Sequence, residues 1–169
     1  MTDGLSAAER GPGSRAGKVL VAKALCYIVY DGELLVIKHP EHSPETVGVQ
    51  VPGGTVRTGE TPEQAALREA REETGLTRLT VVDKLGETDY DITPHRFEIQ
   101  HRHVFHLELH EPTPRRWISS EDHDGEHPPT TLECFWLPLA YAHVLQAGHG
   151  ALLGRLHDRL LDTAGKWDV

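Results

Sequence analysis

Three glutamates fall close together in the stretch from Val51 to Leu76, which reads V-P-G-G-T-V-R-T-G-E-T-P-E-Q-A-A-L-R-E-A-R-E-E-T-G-L. They are Glu69, Glu72 and Glu73. Carboxylates three or four residues apart on a helix repel one another, so this cluster indicates either a solvated acidic surface or a bound cation. Carboxylate oxygens suit hard cations such as Mg²⁺ or Mn²⁺, which often share them with substrate phosphates. The residue types therefore suggest metal-assisted phosphate chemistry, with a plain acidic helix face as the alternative.

Helix signals surround these glutamates. Thr61 stands where an N-cap belongs, Pro62 follows at the first helical position, and Gln64 comes three residues after the cap. Gly75 is placed for the C-terminal end. These signals predict a helix from about Pro62 to Thr74. At about 100° per residue, one face packs and the adjacent face presents the three carboxylates; the packing residues are Ala66, Leu67, Ala70 and Thr74.

A glycine-containing loop precedes this helix. Gly53, Gly54 and Gly59 let the backbone adopt positive φ and approach a ligand closely. A loop of this kind leading into a carboxylate-bearing helix favours the cation over the solvated acidic face.

The complete pattern resembles the Nudix box of the Nudix hydrolase (MutT-like) superfamily. The matching residues are Gly54, Glu60, Arg68-Glu69-Ala70-Arg71-Glu72-Glu73 and Gly75-Leu76, with every fixed position filled across 23 positions. The resemblance implies an α/β (α+β) fold, an α/β/α sandwich with a mixed β-sheet between helices. It also implies a pyrophosphatase that cleaves a nucleoside diphosphate linked to a further group.

The resemblance implies a role for most residues of the box. Glu72 and Glu73 are expected to bind a divalent metal, Mg²⁺ or Mn²⁺, and Glu69 to be a ligand or the general base. The carbonyl of Gly53 is expected to be a further metal ligand. A salt bridge between Glu60 and Arg68 is expected to hold the loop onto the helix. Four positions are expected to be structural, namely Gly54, Glu60, Arg68 and Gly75.

In this family an additional acidic residue often completes the site, on a loop before the last strand. The possibilities here are Glu121, Asp124 and Glu126. We favour Glu126, which lies seven residues ahead of Glu133 and follows Gly125. A solvated acidic loop is the alternative.

Several residues are predicted to contact substrate. Arg57 and Arg71 could bind phosphate oxygens bidentately, although Arg71 could equally pair with neighbouring glutamates. Tyr90, His95 and Trp117 could each stack on a base, and Trp117 could equally anchor a loop.

The substrate itself stays open between a nucleoside triphosphate, a dinucleoside polyphosphate and a nucleotide sugar. Pro94 and Tyr90 are offset from the positions typical of ADP-ribose and dinucleoside polyphosphate hydrolases, and the coenzyme A signature is missing. The competing function is a non-catalytic Nudix-fold module that senses a nucleotide ligand. Retention of all three box glutamates argues against that reading.

Strands must position this site. Lys18 begins a long apolar run that ends at Asp31-Gly32, a tight hairpin turn before a second strand over 33–38. The remaining elements are predicted as a loop over 39–47, strands at 48–51, 79–88, 96–110 and 132–137, a structureless and functional segment at 111–131, and helices at 139–147 and 151–164.

Side-chain alternation assigns faces within these elements. Phe97, Ile99, Phe105, Leu107 and Leu109 should share one strand face together with His101 and His103. Seven of the twelve histidines fall between His95 and His127, and we expect most to line the surface or sheet, with one or two facing substrate. The final helix should bury its leucines, namely Leu152, Leu153, Leu156, Leu160 and Leu161.

The composition fits one globular domain of residues 18–169 behind a flexible tail of residues 1–17. No apolar run approaches 18 residues and no signal core is evident, so a cytoplasmic protein without a membrane partner is expected. The net charge of −9 argues against a nucleic-acid polymer and leaves a small nucleotide-type substrate. Cys26 and Cys134 are expected to be buried thiols without a zinc site. A homodimer, common under the resemblance, stays open.

Overall fold

The computed structural model describes residues 15–41 and 48–164. Residues 1–14, which make up most of the expected tail, lie outside the described residues. In chain order the elements are β1 (Val19–Tyr30), β2 (Glu33–Lys38), β3 (Gly53–Thr55), α1 (Pro62–Thr74), β4 (Leu79–Asp91), β5 (Glu98–Leu109), β6 (Arg116–Glu121), β7 (Thr130–Pro138) and α2 (Leu153–Ala164), with short 3₁₀ helices at His123–Gly125 and Leu139–Val144.

Within the described residues the strands form one seven-stranded mixed sheet in the order β4-β5-β1-β2-β7-β6, and β3 pairs with β1. β1 is central because it runs parallel to β5 and antiparallel to both β2 and β3. The turn at Asp31 and Gly32 joins β1 to β2 with positive φ at both residues, as the predicted hairpin requires.

Alternate residues of β1 supply the two hydrophobic cores. Ala24, Cys26 and Ile28 pack with α1 on one face of the sheet. Leu25, Tyr27 and Val29 pack with α2 on the other face. Because side chains alternate along a strand, one apolar run serves both layers. The sheet between α1 and α2 confirms the predicted α/β/α sandwich.

Both cysteines lie beneath α1. The thiol of Cys26 donates to the carbonyl of Ala66 at 3.1 Å, and the thiol of Cys134 approaches the carbonyl of Glu73 at 3.9 Å. Both side chains are buried and free of a disulfide. The expectation of buried thiols is confirmed, and burial raises the pKa of Cys134 to about 12.

The strand predicted over residues 48–51 is wrong. Only Gln50 forms a bridge, with Ile37. The next backbone N–H, that of Val51, donates instead to Nδ1 of the His149 imidazole at 3.1 Å. The segment therefore leaves the ladder after a single residue.

The segment over 111–131 is not structureless, because it contains β6, which pairs antiparallel with β7. Residues with inward side chains alternate with exposed ones along β6, but the inward positions are Trp117, Ser119 and Glu121. Because two of these three inward residues are polar, the sequence of β6 lacks the alternation of apolar and polar residues by which a strand is recognised.

Strands β4 and β5 exist as predicted, but β4 extends to Asp91, and β5 begins at Glu98. Phe97 is 58% exposed and precedes the strand, so its placement on the packed face is wrong.

The C-terminal elements also differ from prediction. The helix expected over 139–147 is a 3₁₀ segment that ends at Val144, and Ala147 has positive φ. The last helix starts at Leu153, and Leu161 is 69% exposed rather than buried. Across residues 15–41 and 48–164, the helices lack the combined length and apolar character needed to cross a membrane.

Candidate active site

Helix α1 has the predicted ends. Thr61 Oγ1 accepts from the Gln64 N–H at 3.1 Å, and the Gln64 side chain accepts from the Thr61 N–H at 2.9 Å. Gly75 adopts φ 76°, and its N–H donates to the carbonyl of Arg71 at 2.9 Å. A capping box and a left-handed C-terminal glycine therefore fix the length and phase of the helix that carries the glutamates.

Three carboxylates converge where α1 faces β6. Glu69, Glu72 and Glu121 each offer one oxygen, and these oxygens all lie within 4.8 Å of one another. We call these residues the carboxylate cluster. They line a cavity of about 210 Å³ together with the side chains of Arg57, His123, Asp124, Glu126 and His127.

We call residues 53–59 the glycine loop; its first two residues, Gly53 and Gly54, pair with β1 as part of β3 and pack closely against neighbouring groups. A Cβ on Gly54 would lie 2.3 Å from Oε1 of Glu69, and a Cβ on Gly53 would lie 2.4 Å from the carbonyl oxygen of Ala24. Positive φ occurs at Gly59, at 80°, and not at Gly53 or Gly54. The expectation of positive φ is therefore wrong for Gly53 and Gly54, whose missing side chains make room for neighbouring groups.

Arg68 ties the loop to the helix, as the expected salt bridge requires. Its Nε and Nη2 donate to the two oxygens of Glu60 at 2.7 and 2.9 Å, and Nη2 also donates to the carbonyl of Thr55 at 3.0 Å. These bonds lower the pKa of Glu60 to about 2. Nη1 donates to Glu69 at 2.8 Å and to Glu72 at 3.2 Å, so one guanidinium also orients two carboxylates of the cluster.

Glu73 occupies a deeper position than the carboxylate cluster. Its Oε1 accepts from the Gly53 N–H at 2.7 Å, and the side chain is buried. Burial raises the pKa of Glu73 well above its ordinary value, and the nearby charges of Glu69, Glu121 and Glu72 add to that effect. Glu73 therefore fixes the backbone of the glycine loop while it faces a second, larger cleft.

The acidic residue that joins Glu69 and Glu72 from outside α1 is Glu121, at the end of β6, rather than the favoured Glu126. Glu126 is exposed and lines the same cavity without joining the cluster. Burial raises the pKa of Glu121, and Oε1 of Glu121 lies 3.6 Å from Nδ1 of His123. Asp124 instead accepts a hydrogen bond from Arg57 at 2.8 Å.

A cleft of about 580 Å³ adjoins the glycine loop. Its charged lining residues are Lys23, Arg96 and Arg102 against the single acid Glu73. Its imidazoles are His39, His95, His123 and His149. His123 also lines the carboxylate cavity, so the two cavities adjoin at this residue. A cationic cleft beside a carboxylate cavity can bind an anionic substrate on one side and a metal on the other.

The wall of the cleft holds a buried arginine. Arg102 is 3% exposed, and its guanidinium stacks over the ring of Tyr90 at 4.3 Å from the centroid. Nε and Nη2 donate to the side chain of Gln100 at 3.0 and 2.9 Å, and Nη1 donates to the carbonyl of Ala147 at 2.5 Å. Among the described residues no carboxylate forms an ion pair with Arg102. Its hydrogen-bond partners are therefore the neutral acceptors of Gln100 and Ala147.

The predicted substrate residues separate into three groups. Tyr90 and His95 line the cleft, and Arg57 lines the carboxylate cavity. Arg71 is exposed and lines neither of these cavities, so its phosphate contact stays a prediction. Trp117 is an anchor, because its indole N–H donates to the carbonyl of Thr74 at 2.9 Å.

Sequence reasoning did not identify Lys23, Arg102 or His149 as cleft residues. Lys23 is a single cation within an apolar strand, and that interruption is the signal that could have revealed it, whereas Arg102 lies among the polar residues Gln100, His101 and His103. His149 carries no comparable signal, because it enters the cleft only through tertiary contacts, including its bond with Val51.

Comparisons with known proteins agree with this geometry. The NUDIX domain family model matches residues 20–156. An RNA pyrophosphohydrolase of Brucella abortus (strain 2308) is 29% identical over 120 residues, which cover 67% of this chain and 67% of that protein.

Two solved structures share the fold. The MutT Nudix hydrolase from Burkholderia pseudomallei superposes with a TM-score of 0.60 and 25% identity, covering 80% of this chain and 97% of that chain. The MutT protein from Methanosarcina mazei Go1 superposes with a TM-score of 0.63 and 21% identity, covering 85% of this chain and 96% of that chain. The family match, the capped helix with its glutamates and the sandwich together establish that the chain belongs to the Nudix hydrolase family.

Proposed function

We propose that this protein is a divalent-metal-dependent pyrophosphohydrolase that cleaves the pyrophosphate linkage of a nucleoside diphosphate joined to another moiety. The observation that carries the proposal is the convergence of Glu69, Glu72 and Glu121 beside a cationic cleft. A hydrolase of phosphoric anhydrides needs both parts, because catalysis of phosphoryl transfer consists of positioning and charge neutralisation.

The carboxylate cluster fits Mg²⁺ or Mn²⁺. Its donors are all oxygen atoms, which these hard cations prefer. Their negative charges are only partly balanced, since Arg68 gives two of its hydrogen bonds to Glu60 and Arg57 lies 3.9 Å from Glu72. We assign Glu69, Glu72 and Glu121 as the residues that would hold the ion, with Glu73 and the Gly53 carbonyl as further candidate ligands. When bound, such an ion neutralises developing charge and lowers the pKa of water.

The chain's own residues hold this site in place. Arg68 orients Glu69 and Glu72, and Glu73 secures the glycine loop through Gly53. We assign Glu121 as the general base in the alternative in which Glu69 and Glu72 hold the ion without it, because its carboxylate borders both of theirs. Glu69 and Glu126 are the alternatives for this role.

The cleft would bind the part of the substrate beyond the scissile bond. Lys23, Arg96 and Arg102 supply positive charge for phosphate oxygens, and the Tyr90 ring supplies an aromatic surface already paired with Arg102. This lining suits a nucleoside triphosphate, a dinucleoside polyphosphate or a nucleotide sugar. The Brucella relative is named an RNA pyrophosphohydrolase. RNA is therefore a further substrate class to test, although we expect a small nucleotide.

The test is a substrate panel with identification of products, in Mg²⁺ and after chelation. The panel contains nucleoside triphosphates, dinucleoside polyphosphates, nucleotide sugars, ADP-ribose and a 5′-triphosphorylated RNA. We expect metal-dependent release of phosphate or nucleotide that Glu72→Gln abolishes without unfolding the protein, because loss of a like charge relieves repulsion on α1. Glu63→Gln, at an exposed acid in the first turn of the same helix, is the matched control and should keep turnover.

The competing function is a ligand-sensing module of the same fold. Binding of panel members without turnover in any metal would support that function and overturn the hydrolase. A cytoplasmic location and assembly as a homodimer stay predictions, testable by fractionation and by light scattering.

A further inference from the structure

A second group of metal-binding side chains lies on strands β4 and β5. Glu87, His101 and His103 each offer one ligand atom, and these atoms all lie within 4.8 Å of one another. We call these residues the His–Glu cluster. None of them belongs to the carboxylate cluster or lines either cavity of the candidate active site.

Strand geometry brings the three residues together. His101 and His103 share one face of β5 because side chains alternate along a strand, and their rings meet edge to face with centroids 5.0 Å apart. Glu87 lies directly opposite His103 in the β4–β5 ladder, and Asp89 lies opposite His101. The ladder therefore holds the cluster on a rigid two-stranded base.

A β-bulge sets the phase of β4 beside the cluster. The register shifts between Lys84 and Gly86, where φ of Gly86 is 150°. On a regular strand, the side chains of residues three apart point to opposite faces. The extra residue of the bulge instead brings Nζ of Lys84 within 3.7 Å of Oε1 of Glu87. The bulge thus adds an ammonium group beside the acceptor atoms.

The distances within the cluster match those between ligands of one metal ion. Oε1 of Glu87 lies 3.0 Å from Nε2 of His101 and 3.1 Å from Nδ1 of His103. Bonds of about 2.0–2.1 Å to a tetrahedral zinc ion separate neighbouring ligand atoms by about 3.3–3.4 Å. Small side-chain shifts suffice to reach that geometry, because Glu87 and His101 are partly exposed.

A neighbouring carboxylate orients one of the imidazoles. Oδ1 of Asp89 lies 2.6 Å from Nδ1 of His101, a position from which it can hold the proton of that nitrogen when Nε2 binds a metal ion. A carboxylate behind a histidine is the usual outer partner of a metal-ligating imidazole. Nε2 of His101, Nδ1 of His103 and Oε1 of Glu87 lie close enough to share one ion, which would replace the proton between Nε2 and Glu87.

Lys84 supplies a positive charge at this point in the structure. Its Nζ lies 3.0 Å from Nδ1 of His103 and 3.7 Å from Oε1 of Glu87. The lysine side chain is 41% exposed, so it can leave when a more strongly bound cation arrives. The position that Lys84 approaches is therefore one where positive charge is favoured.

We propose that Glu87, His101 and His103 form a transition-metal site, selective for Zn²⁺ and similar ions, that is separate from the carboxylate cluster. Imidazole ligands suit Zn²⁺, Ni²⁺ and Cu²⁺, whereas Mg²⁺ takes oxygen ligands. A bound ion joins β4, an edge strand of the sheet, to β5. The site does not depend on the hydrolase activity.

The test is calorimetric titration of Zn²⁺ into the untagged full chain, with excess Mg²⁺ present to occupy oxygen-only sites. We expect a binding event that weakens about tenfold or more in His101→Ala and in His103→Ala. His110→Ala is the matched control, because it removes a histidine just after the end of β5 and should leave Zn²⁺ binding unchanged. Lys84→Met should tighten binding, since it removes the competing ammonium.

Two further measurements keep the test decisive if a histidine variant folds poorly. Glu87→Gln should weaken Zn²⁺ binding through a change on the exposed edge strand. Zn²⁺ at a hundredfold excess over Kd should raise the Tm of the parent protein by about 5–10 °C, and the double variant His101→Ala/His103→Ala should lose that shift while it retains Mg²⁺-dependent turnover. Equal Zn²⁺ affinity in the parent and the double variant, or no Zn²⁺ binding by the parent, would overturn the proposal and leave an ion-pair network only.

Discussion

Gly54 and the carboxylate of Glu69 occupy adjoining space that admits no side chain between them. A Cβ on Gly54 would lie 2.3 Å from both Cδ and Oε1 of Glu69 and 2.6 Å from its Oε2. The box glycine is thus a steric requirement of the carboxylate cluster, because the carboxylate packs directly onto the backbone of β3.

Gly54→Ala should therefore displace Glu69 and reduce turnover. A misplacement of about 1 Å in a catalytic group costs about 10²-fold in rate, and we expect a loss of that order. Gly154→Ala is the matched control, because a Cβ there meets open space on α2. That control should keep activity and gain stability, since alanine is the better helix former. Full activity in Gly54→Ala would show that the glutamate moves aside without consequence.

The assignment of the additional acid can be tested by comparing Glu121→Gln with Glu126→Gln. Glu121 belongs to the carboxylate cluster, whereas Glu126 is exposed at the cavity lining. We expect Glu121→Gln to lower turnover about 10- to 100-fold and Glu126→Gln to change it little. Steady-state rates over a range of Mg²⁺ concentrations measure both. A larger loss of turnover in Glu126→Gln than in Glu121→Gln would show that Glu126 is the additional acid of the site.

Glu60→Gln should reveal how strongly Arg68 binds the loop. Hydrogen bonds to charged groups contribute about 1.5–3 kcal/mol, and we expect a loss of that size in the free energy of unfolding at pH 7. Because the folded pKa of Glu60 is lowered from 4.5 to about 2, its stabilising contribution is present above pH 4.5 and is lost as the pH falls towards 2. Urea unfolding curves of the parent and variant should converge over that range. A difference that persists at low pH would contradict a charge-based contribution.

Arg102→Met should weaken substrate binding more than it slows chemistry. The guanidinium faces the cleft, so its loss should raise KM about 10-fold or more while kcat changes less. Arg155→Met is the matched control, because the Nη1 of Arg155 also donates to a backbone carbonyl, that of Leu85, at 2.6 Å. An equal rise of KM in both variants would indicate a general loss of stability.

Trp117→Phe should affect stability and leave catalysis unchanged. The indole N–H bonds the C-terminal end of α1 through the carbonyl of Thr74, and that single hydrogen bond contributes about 1 kcal/mol. Chemical denaturation measures the loss, and steady-state kinetics should show an unaltered KM. A raised KM would restore the base-stacking role for Trp117.

The helix with its glutamates could be predicted because its signals are local. Thr61, Pro62, Gln64 and Gly75 determine the ends of α1 within the helix's own sequence, and the structure has the same bounds, Pro62–Thr74. The phase of the glutamates follows from those bounds through the helical repeat.

Residues joined to the site by tertiary pairing could not be predicted in the same way. Glu121 enters the cluster because β6 pairs with β7, and the inner face of β6 is too polar to be recognised as a strand. Arg102 lies between His101 and His103 in sequence but faces the opposite side of the sheet. Strand β5 therefore contributes residues to two separate sites, one on each face of the sheet. Side-chain alternation shows which residues share a face, but which site each face borders is known only from the position of β5 in the sheet.

The buried thiols beneath α1 give the protein an internal reporter. Cys26 and Cys134 contact the backbone of α1 and are shielded from solvent by it. Alkylating reagents can reach either sulfur only when the helix separates from the sheet, so the rate of modification measures how often that opening occurs. Divalent cations that fasten the helix in place would slow this labelling, which makes ligand occupancy readable without any turnover assay.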